Sequence, residues 1–175
     1  MGFTHVYTGD GKGKTTAAIG LIIRAIGSGM SVYLGQFFKD NDQSEVIALE
    51  KLKVTLDRDQ MLTIKQFGTA KGLNKTIEGG DILAAIRGFE DIRKALKSGL
   101  YDMVVADEIN VIVNLGIIDE IDILKVMDKN KEAEFVLTGR CATPAIIDKA
   151  NLVSEIKKIK HYRDEGLVPR IGIEK

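Results

Sequence analysis

One cysteine, Cys141, is all the thiol chemistry that 175 residues carry. It cannot close an internal disulfide, and it cannot build a four-cysteine or Cys2His2 zinc cluster. A reducing compartment, the cytoplasm, is therefore the expected location. The two histidines, His5 and His161, leave few groups for proton transfer near neutral pH. An excess of either charge is missing too: 25 Lys plus Arg balance 25 Asp plus Glu. With no global field to draw it in, nucleic acid is not an expected partner. No apolar run reaches the roughly 18 residues that a membrane span needs. The opening "MGFTHVYTGD" has neither the basic start nor the long apolar core of a signal peptide, and a myristoylation pattern fails at Val6. Internal repeats and low-complexity linkers are absent as well.

What the chain does have is enough apolar residues, 45%, to bury a core of its own, so one domain over residues 1–175 is expected. Short apolar runs alternate with helical stretches, the pattern of a mainly parallel sheet flanked by helices. "FTHVY", "SVYLGQF", "MLTIKQF", "DMVVAD" and "EFVLTG" read as strands. "GKTTAAIGLIIRAIGSG", a short segment after the polar turn "KDNDQSE", "DILAAIRGFEDIRKAL", "IIDEIDILKVMDK" and "TPAIIDKA" read as helices. The third of these places Ile82, Ala85, Ile86, Phe89 and Ile92 at helical spacing. Pro144 suits a first helical turn. "GTAKGLNKTIEGG" has no periodicity of either kind. The last 25 residues, from Asn151, are expected to add one strand and then a tail over the top of the sheet.

The stretch "TGDGKGKTT" carries the clearest chemistry. Gly9, Gly11 and Gly13 permit a backbone path that turns successive amides toward one anion, and a helix starting near Gly13 adds its positive end. Lys14 supplies a full charge, and Thr15 supplies a hydroxyl that reaches a magnesium ion. The pattern G-x-x-x-x-G-K-[ST] fails only at its first position, where Thr8 stands. A glycine-rich surface turn is the alternative, and it explains neither the strand before nor the helix after.

Two further strand ends fit the same site. "MVVADE" brings Asp107 and Glu108, carboxylates able to hold magnesium directly or through water, although such a pair can also be a helix cap. "LTGR" brings Thr138, Gly139 and Arg140 to a strand's carboxyl end, where open α/β sheets bind ligands. Arg140 can pair with a phosphate or simply cap a helix. His5, inside a strand, reads as a packed side chain. His161, beside Lys158, Lys160 and Arg163, reads as solvated, and Cys141 reads as a small buried residue. Asn130-Lys131-Glu132-Ala133 is not a guanine-reading N-K-x-D, because position 133 is Ala. With so few acid–base groups at the strand ends, a reaction driven by positioning and by stabilising a phosphate leaving group is favoured.

"YTGDGKGKTTAA", "GQFFK", "YDMVVADEIN", "LTGR" and "LVSEIKKIKHYRDEG" closing on "GIE" resemble, in this order, the ATP:corrinoid adenosyltransferases with a RecA-like P-loop fold. The resemblance spans nearly the whole chain. It implies a three-layer P-loop domain that moves the 5′-deoxyadenosyl group of ATP to the cobalt(I) of a corrinoid, releasing triphosphate. By resemblance, Thr8, Gly9, Asp10, Gly11, Lys12, Gly13, Lys14, Thr15, Thr16 and Arg140 hold the nucleotide. Lys14 and Arg140 neutralise the leaving triphosphate, and Thr15, Asp107 and Glu108 hold Mg2+. The triphosphate is implied to lie in the reverse sense from ordinary P-loop ATPases, so that the ribose 5′ carbon faces the second substrate. A reduced flavoprotein as electron donor and a homodimer are implied as well.

The chain departs from the family pattern in three places. An N-terminal segment that helps cover the corrinoid does not precede the first strand here. No tryptophan accompanies the aromatic after the third strand, leaving Phe67 as the candidate for the corrinoid's lower face. Asp10 stands where asparagine is common, and it could accept hydrogen bonds from ribose hydroxyls. The rival functions are a P-loop nucleoside kinase and a plain ATPase module.

Overall fold

Strand and helix alternate along the chain as the apolar periodicity requires. The structure is a computed structural model, and it describes residues 2–39, 43–55, 61–68 and 77–174. Strand β1 (Thr4–Thr8) leads into helix α1 (Lys14–Gly27), β2 (Val32–Phe37) into α2 (Ser44–Thr55), and β3 (Leu62–Phe67) into α3 (Gly79–Ser98). After β4 (Met103–Asp107) come two helices, α4 (Ile109–Asn114) and α5 (Glu120–Lys129), then β5 (Glu134–Thr138), α6 (Pro144–Lys149) and β6 (Leu152–Glu155). Residues 40–42 of the expected polar turn and residues 69–76 of the glycine-rich stretch lie outside the described residues.

The strands form one six-stranded sheet in the order β3-β2-β4-β5-β1-β6. The sequence pointed to a mainly parallel sheet, and every pairing is parallel. All carboxyl ends therefore lie along one edge, where β1 gives way to the glycine-rich loop, β4 to Glu108 and β5 to Arg140. Every residue of β2 and of β4 is buried, which is why their apolar runs are nearly continuous rather than alternating.

Helices cover both faces, completing the three-layer α/β arrangement of a RecA-like P-loop domain. On one face Ala18, Ile22, Ala25 and Ile26 of α1 and Leu49 of α2 pack on Leu34, Val105 and Val136. On the other, Phe89 and Ile92 of α3, Ile112 of α4, Ile123 of α5 and Ile146 of α6 pack on Phe37, Val104 and Phe135. Each fully buried side chain of this size contributes about 1.5–3 kcal/mol relative to exposure. Among the described residues, no helix is long and apolar enough to cross a membrane.

Two details differ from the sequence reading. The inward stripe of α3 runs Asp81, Ala85, Gly88, Phe89, Ile92 and Ala95, whereas Ile82 and Ile86 are exposed. Gly88 lies on this inward stripe, where its bare backbone lets α3 rest against Phe37 and Phe67, and Ile82 and Ile86 lie beside the stripe on the solvent side. Helix α4 was not anticipated, "INVIVN" being assigned to no element. Glu108 in the left-handed region ends β4 with a sharp turn, and Ile109, Ile112 and Val113 then bury on one helical face, overriding local β preference.

Candidate nucleotide site

The glycine-rich loop links β1 to α1 and is built on backbone angles that only glycine adopts without strain. Gly9 has φ 96° and Gly13 φ 125°, and Gly13 is also the residue that caps α1. Gly9 and Gly11 meet a second demand, close packing. A Cβ on either would lie 2.5 Å or 2.7 Å from the carbonyl oxygen of Ile156. Ile156 follows β6, and its amide bonds the carbonyl of Thr8 at 2.8 Å. The tail after β6 is thus the floor on which the loop rests.

Lys14, 7% exposed, folds back over this loop and donates to the carbonyls of Gly9 and Gly11, both at 2.7 Å. Burial lowers its pKa, with Glu108 opposing the shift and Arg140 reinforcing it. Asp10, Lys12 and Thr16 stand exposed on the rim. Thr8 is buried, and its hydroxyl accepts from the amide of Ala142 at 3.3 Å, joining the loop to the turn that follows Arg140.

The Thr15 hydroxyl donates to Asp107 Oδ1 at 2.8 Å, so two of the three residues expected to share a metal lie together. Asp107 is fully buried and accepts four hydrogen bonds. Thr138 joins Thr15 on Oδ1 at 2.6 Å, while Lys39 at 2.8 Å and Gln36 at 3.1 Å hold Oδ2. Burial alone would push Asp107 up, but Lys39 and the two hydroxyls outweigh it and hold its pKa below the ordinary value. Glu108 moves the other way, raised by burial and by the neighbouring Asp107 charge against Lys39, Lys14 and Arg140. Its left-handed backbone, φ 68°, is fixed by its amide donating to Thr138 Oγ1 at 2.9 Å.

As hard oxygen donors, the hydroxyl of Thr15 and the carboxylates of Asp107 and Glu108 fit Mg2+. Arg140, exposed on the turn after β5, is near enough to influence both Lys14 and Glu108. Gly139 before it, φ 130°, passes 3.1 Å from the amide of Val111 as judged by an added Cβ.

Some expectations need correction. Cys141 is exposed rather than buried, with φ 58°, because the chain turns outward after β5 instead of continuing into the core. His161 is half-buried rather than solvated, and its Nδ1 accepts from the amide of Arg163 at 3.1 Å, capping a 3-10 turn at Tyr162–Glu165. His5 is packed as expected, with Nε2 2.8 Å from Glu134. Gln36, Lys39, Glu45 and Ile156 went unassigned. For Gln36 a signal existed, a lone amide in an otherwise apolar strand.

A family model described as ATP:corrinoid adenosyltransferase BtuR/CobO/CobP matches residues 1–174. Among curated proteins, the corrinoid adenosyltransferase of Salmonella typhimurium is 30% identical over 175 residues, covering 99% of this chain and 85% of that protein. The corrinoid adenosyltransferase of Sinorhizobium is 31% identical over 178 residues, covering 99% and 80% respectively. An uncharacterized Nostoc protein is 32% identical over 189 residues and 99% of this chain, which spans 48% of that longer relative.

Proposed function

The chain belongs to the ATP:corrinoid adenosyltransferase family, and from that premise we propose that it transfers the 5′-deoxyadenosyl group of ATP to the cobalt(I) of a corrinoid, either cobalamin or a precursor. The cobalt(I) electron pair forms the bond to the ribose 5′ carbon. The bond from that carbon to the phosphate oxygen breaks, and triphosphate leaves with the two electrons of the broken bond. No protein nucleophile is needed, and cobalt is formally oxidised to cobalt(III).

The observation that carries this reading is a glycine-rich loop running into a helix whose Thr15 bonds the buried Asp107, with Lys14 and Arg140 close by. Such a cradle does its work on a phosphate leaving group. Lys14 exchanges its two loop carbonyls for phosphate oxygens, and Arg140 reaches from the exposed side. Mg2+, where bound, supplies further charge neutralisation on the triphosphate. In this reading the triphosphate runs in the reverse sense through the loop, leaving the 5′ carbon toward the end of β3. There Phe67, half-buried with its ring 5.5 Å from that of Phe37, offers an apolar edge to the corrinoid. A reduced flavoprotein as electron donor, a homodimeric state and a cytoplasmic location belong to the same proposal.

The test is anaerobic. Protein, Mg-ATP and chemically reduced cob(I)alamin are mixed, and corrinoid absorbance is followed alongside triphosphate release. A light-sensitive alkylcobalamin with an equal amount of triphosphate is the expected result. An unchanged corrinoid with ADP and phosphate appearing would replace this reading with an ATPase, and ADP formed only with an acceptor nucleoside would replace it with a kinase.

A further inference from the structure

Lys39 lies at the centre of the site, yet neither the phosphate loop nor the leaving-group chemistry accounts for it. Its Nζ donates to Asp107 Oδ2 at 2.8 Å and to Glu45 Oε1 at 3.2 Å, and its side chain is only 15% exposed. Gln36 bridges the same two carboxylates, at 3.1 Å and 3.4 Å. Since Thr15 and Thr138 take the other oxygen of Asp107, the carboxylate is fully engaged on both sides.

The backbone places this ammonium deliberately. Phe38, 5% exposed, is held in the left-handed region at φ 54°, where a bulky residue is an outlier. Its amide donates to the carbonyl of Phe67 at 3.0 Å. Gly68 passes so close that a Cβ there would stand 2.6 Å from the amide nitrogen of Lys39. The turn after β2 is thus pinned by the end of β3, and the pinned turn aims Lys39 back over the sheet at Asp107.

We propose that Lys39 is a tethered cation that holds the face of Asp107 a divalent ion would otherwise take, so that metal enters the site only when phosphate oxygens arrive with it. A buried carboxylate stripped of its partner is strongly unfavourable and takes up whatever cation can reach it. With Lys39 in place, free metal has to displace an ion pair and gains little. With a nucleotide bound, phosphate oxygens and the Thr15 hydroxyl supply the missing ligands. The inference rests on the metal–nucleotide reading of the site, but not on adenosyl transfer.

The experiment uses Mn2+ alone, read by electron paramagnetic resonance on nucleotide-free protein at pH 8, with folding checked by circular dichroism. Wild type is expected to bind Mn2+ weakly, Lys39→Met at least about tenfold more tightly, and Lys39→Arg like wild type. Lys39→Gln, neutral and polar, serves the same purpose should the Met variant fail to fold. Equal Mn2+ affinity in wild type and the neutral variant would overturn the proposal, as would tight Mn2+ binding by wild type without nucleotide. No corrinoid is present, so a failure of the transferase reading leaves this measurement untouched.

Discussion

The amide of Gly11 donates to the carbonyl of Ile156 at 2.7 Å, so the glycine-rich loop and the residue after the last strand form one structural unit. This contact explains why the tail belongs to the site although none of its side chains was assigned to the nucleotide. It also gives Gly11 a steric role beside any conformational one.

Gly11→Ala is expected to fail for that reason. The new Cβ would lie 2.7 Å from the Ile156 carbonyl oxygen and 2.8 Å from that of Lys157, and backbone atoms cannot move aside as a side chain would. A stability loss of about 1–3 kcal/mol is expected in a urea titration, together with weaker ATP binding by calorimetry. Ile156→Ala should not rescue it, because the clash with backbone oxygens remains. Rescue would show that the side chain alone sets the loop.

How much of this was legible beforehand depends on the range of the interaction. That the glycine-rich loop, Asp107 and Glu108 at the end of β4 and Arg140 after β5 would share one edge could be read because each motif is local and each ends an apolar run. Gln36 and Lys39 stand inside the motif "GQFFK", and Gln36 stands out as a lone amide, but no role could be read for either, since both bond Asp107, roughly seventy residues away in sequence. The outward turn of Cys141 and the exposure of Ile82 and Ile86 on α3 are likewise matters of packing, to which periodicity is blind.

Lys14→Ala should weaken ATP binding about 10- to 100-fold, the range for losing charge-assisted hydrogen bonds, and should abolish adenosyl transfer. Lys14→Arg should not restore either. Lys14 sits buried between the carbonyls of Gly9 and Gly11, and a planar guanidinium does not fit that gap. Isothermal titration with Mg-ATP checks both variants, and full activity in either would remove Lys14 from the mechanism.

Glu108→Gln is expected to raise stability while destroying function. The folded pKa of Glu108 is pushed above 4.5 by burial and by Asp107. A carboxyl raised in this way contributes stability that is complete below its unfolded pKa and is lost as pH rises through its folded one. Above that window wild type bears an unfavourable charge on a half-buried carboxylate beside Asp107, a charge that the amide lacks. The variant should therefore melt higher at pH 8, by about 2–4 °C if the difference is near 1 kcal/mol, with the advantage vanishing toward pH 4. Melting curves at both pH values provide the check. An equal or lower midpoint at pH 8 would mean that nearby cations already compensate the charge.

The last prediction separates the two substrates. Phe67 packs its ring against Phe37 at the end of β3, outside the hydrogen bonds that join Thr15, Asp107 and Lys39. Phe67→Ala should raise the KM for the corrinoid several-fold and leave ATP affinity unchanged. Gly88→Ala acts on the same ring from below. Its Cβ would lie 2.5 Å from Phe67 Cγ and 2.7 Å from Phe37 Cε1, so both rings must shift, at a cost of about 1–3 kcal/mol. If the corrinoid rests on Phe67, the two variants should change its KM in the same direction, although one removes the ring and the other only displaces it. A corrinoid KM that stays at the wild-type value in Phe67→Ala would make this ring a core prop, and Gly88→Ala would then lower stability without touching either substrate.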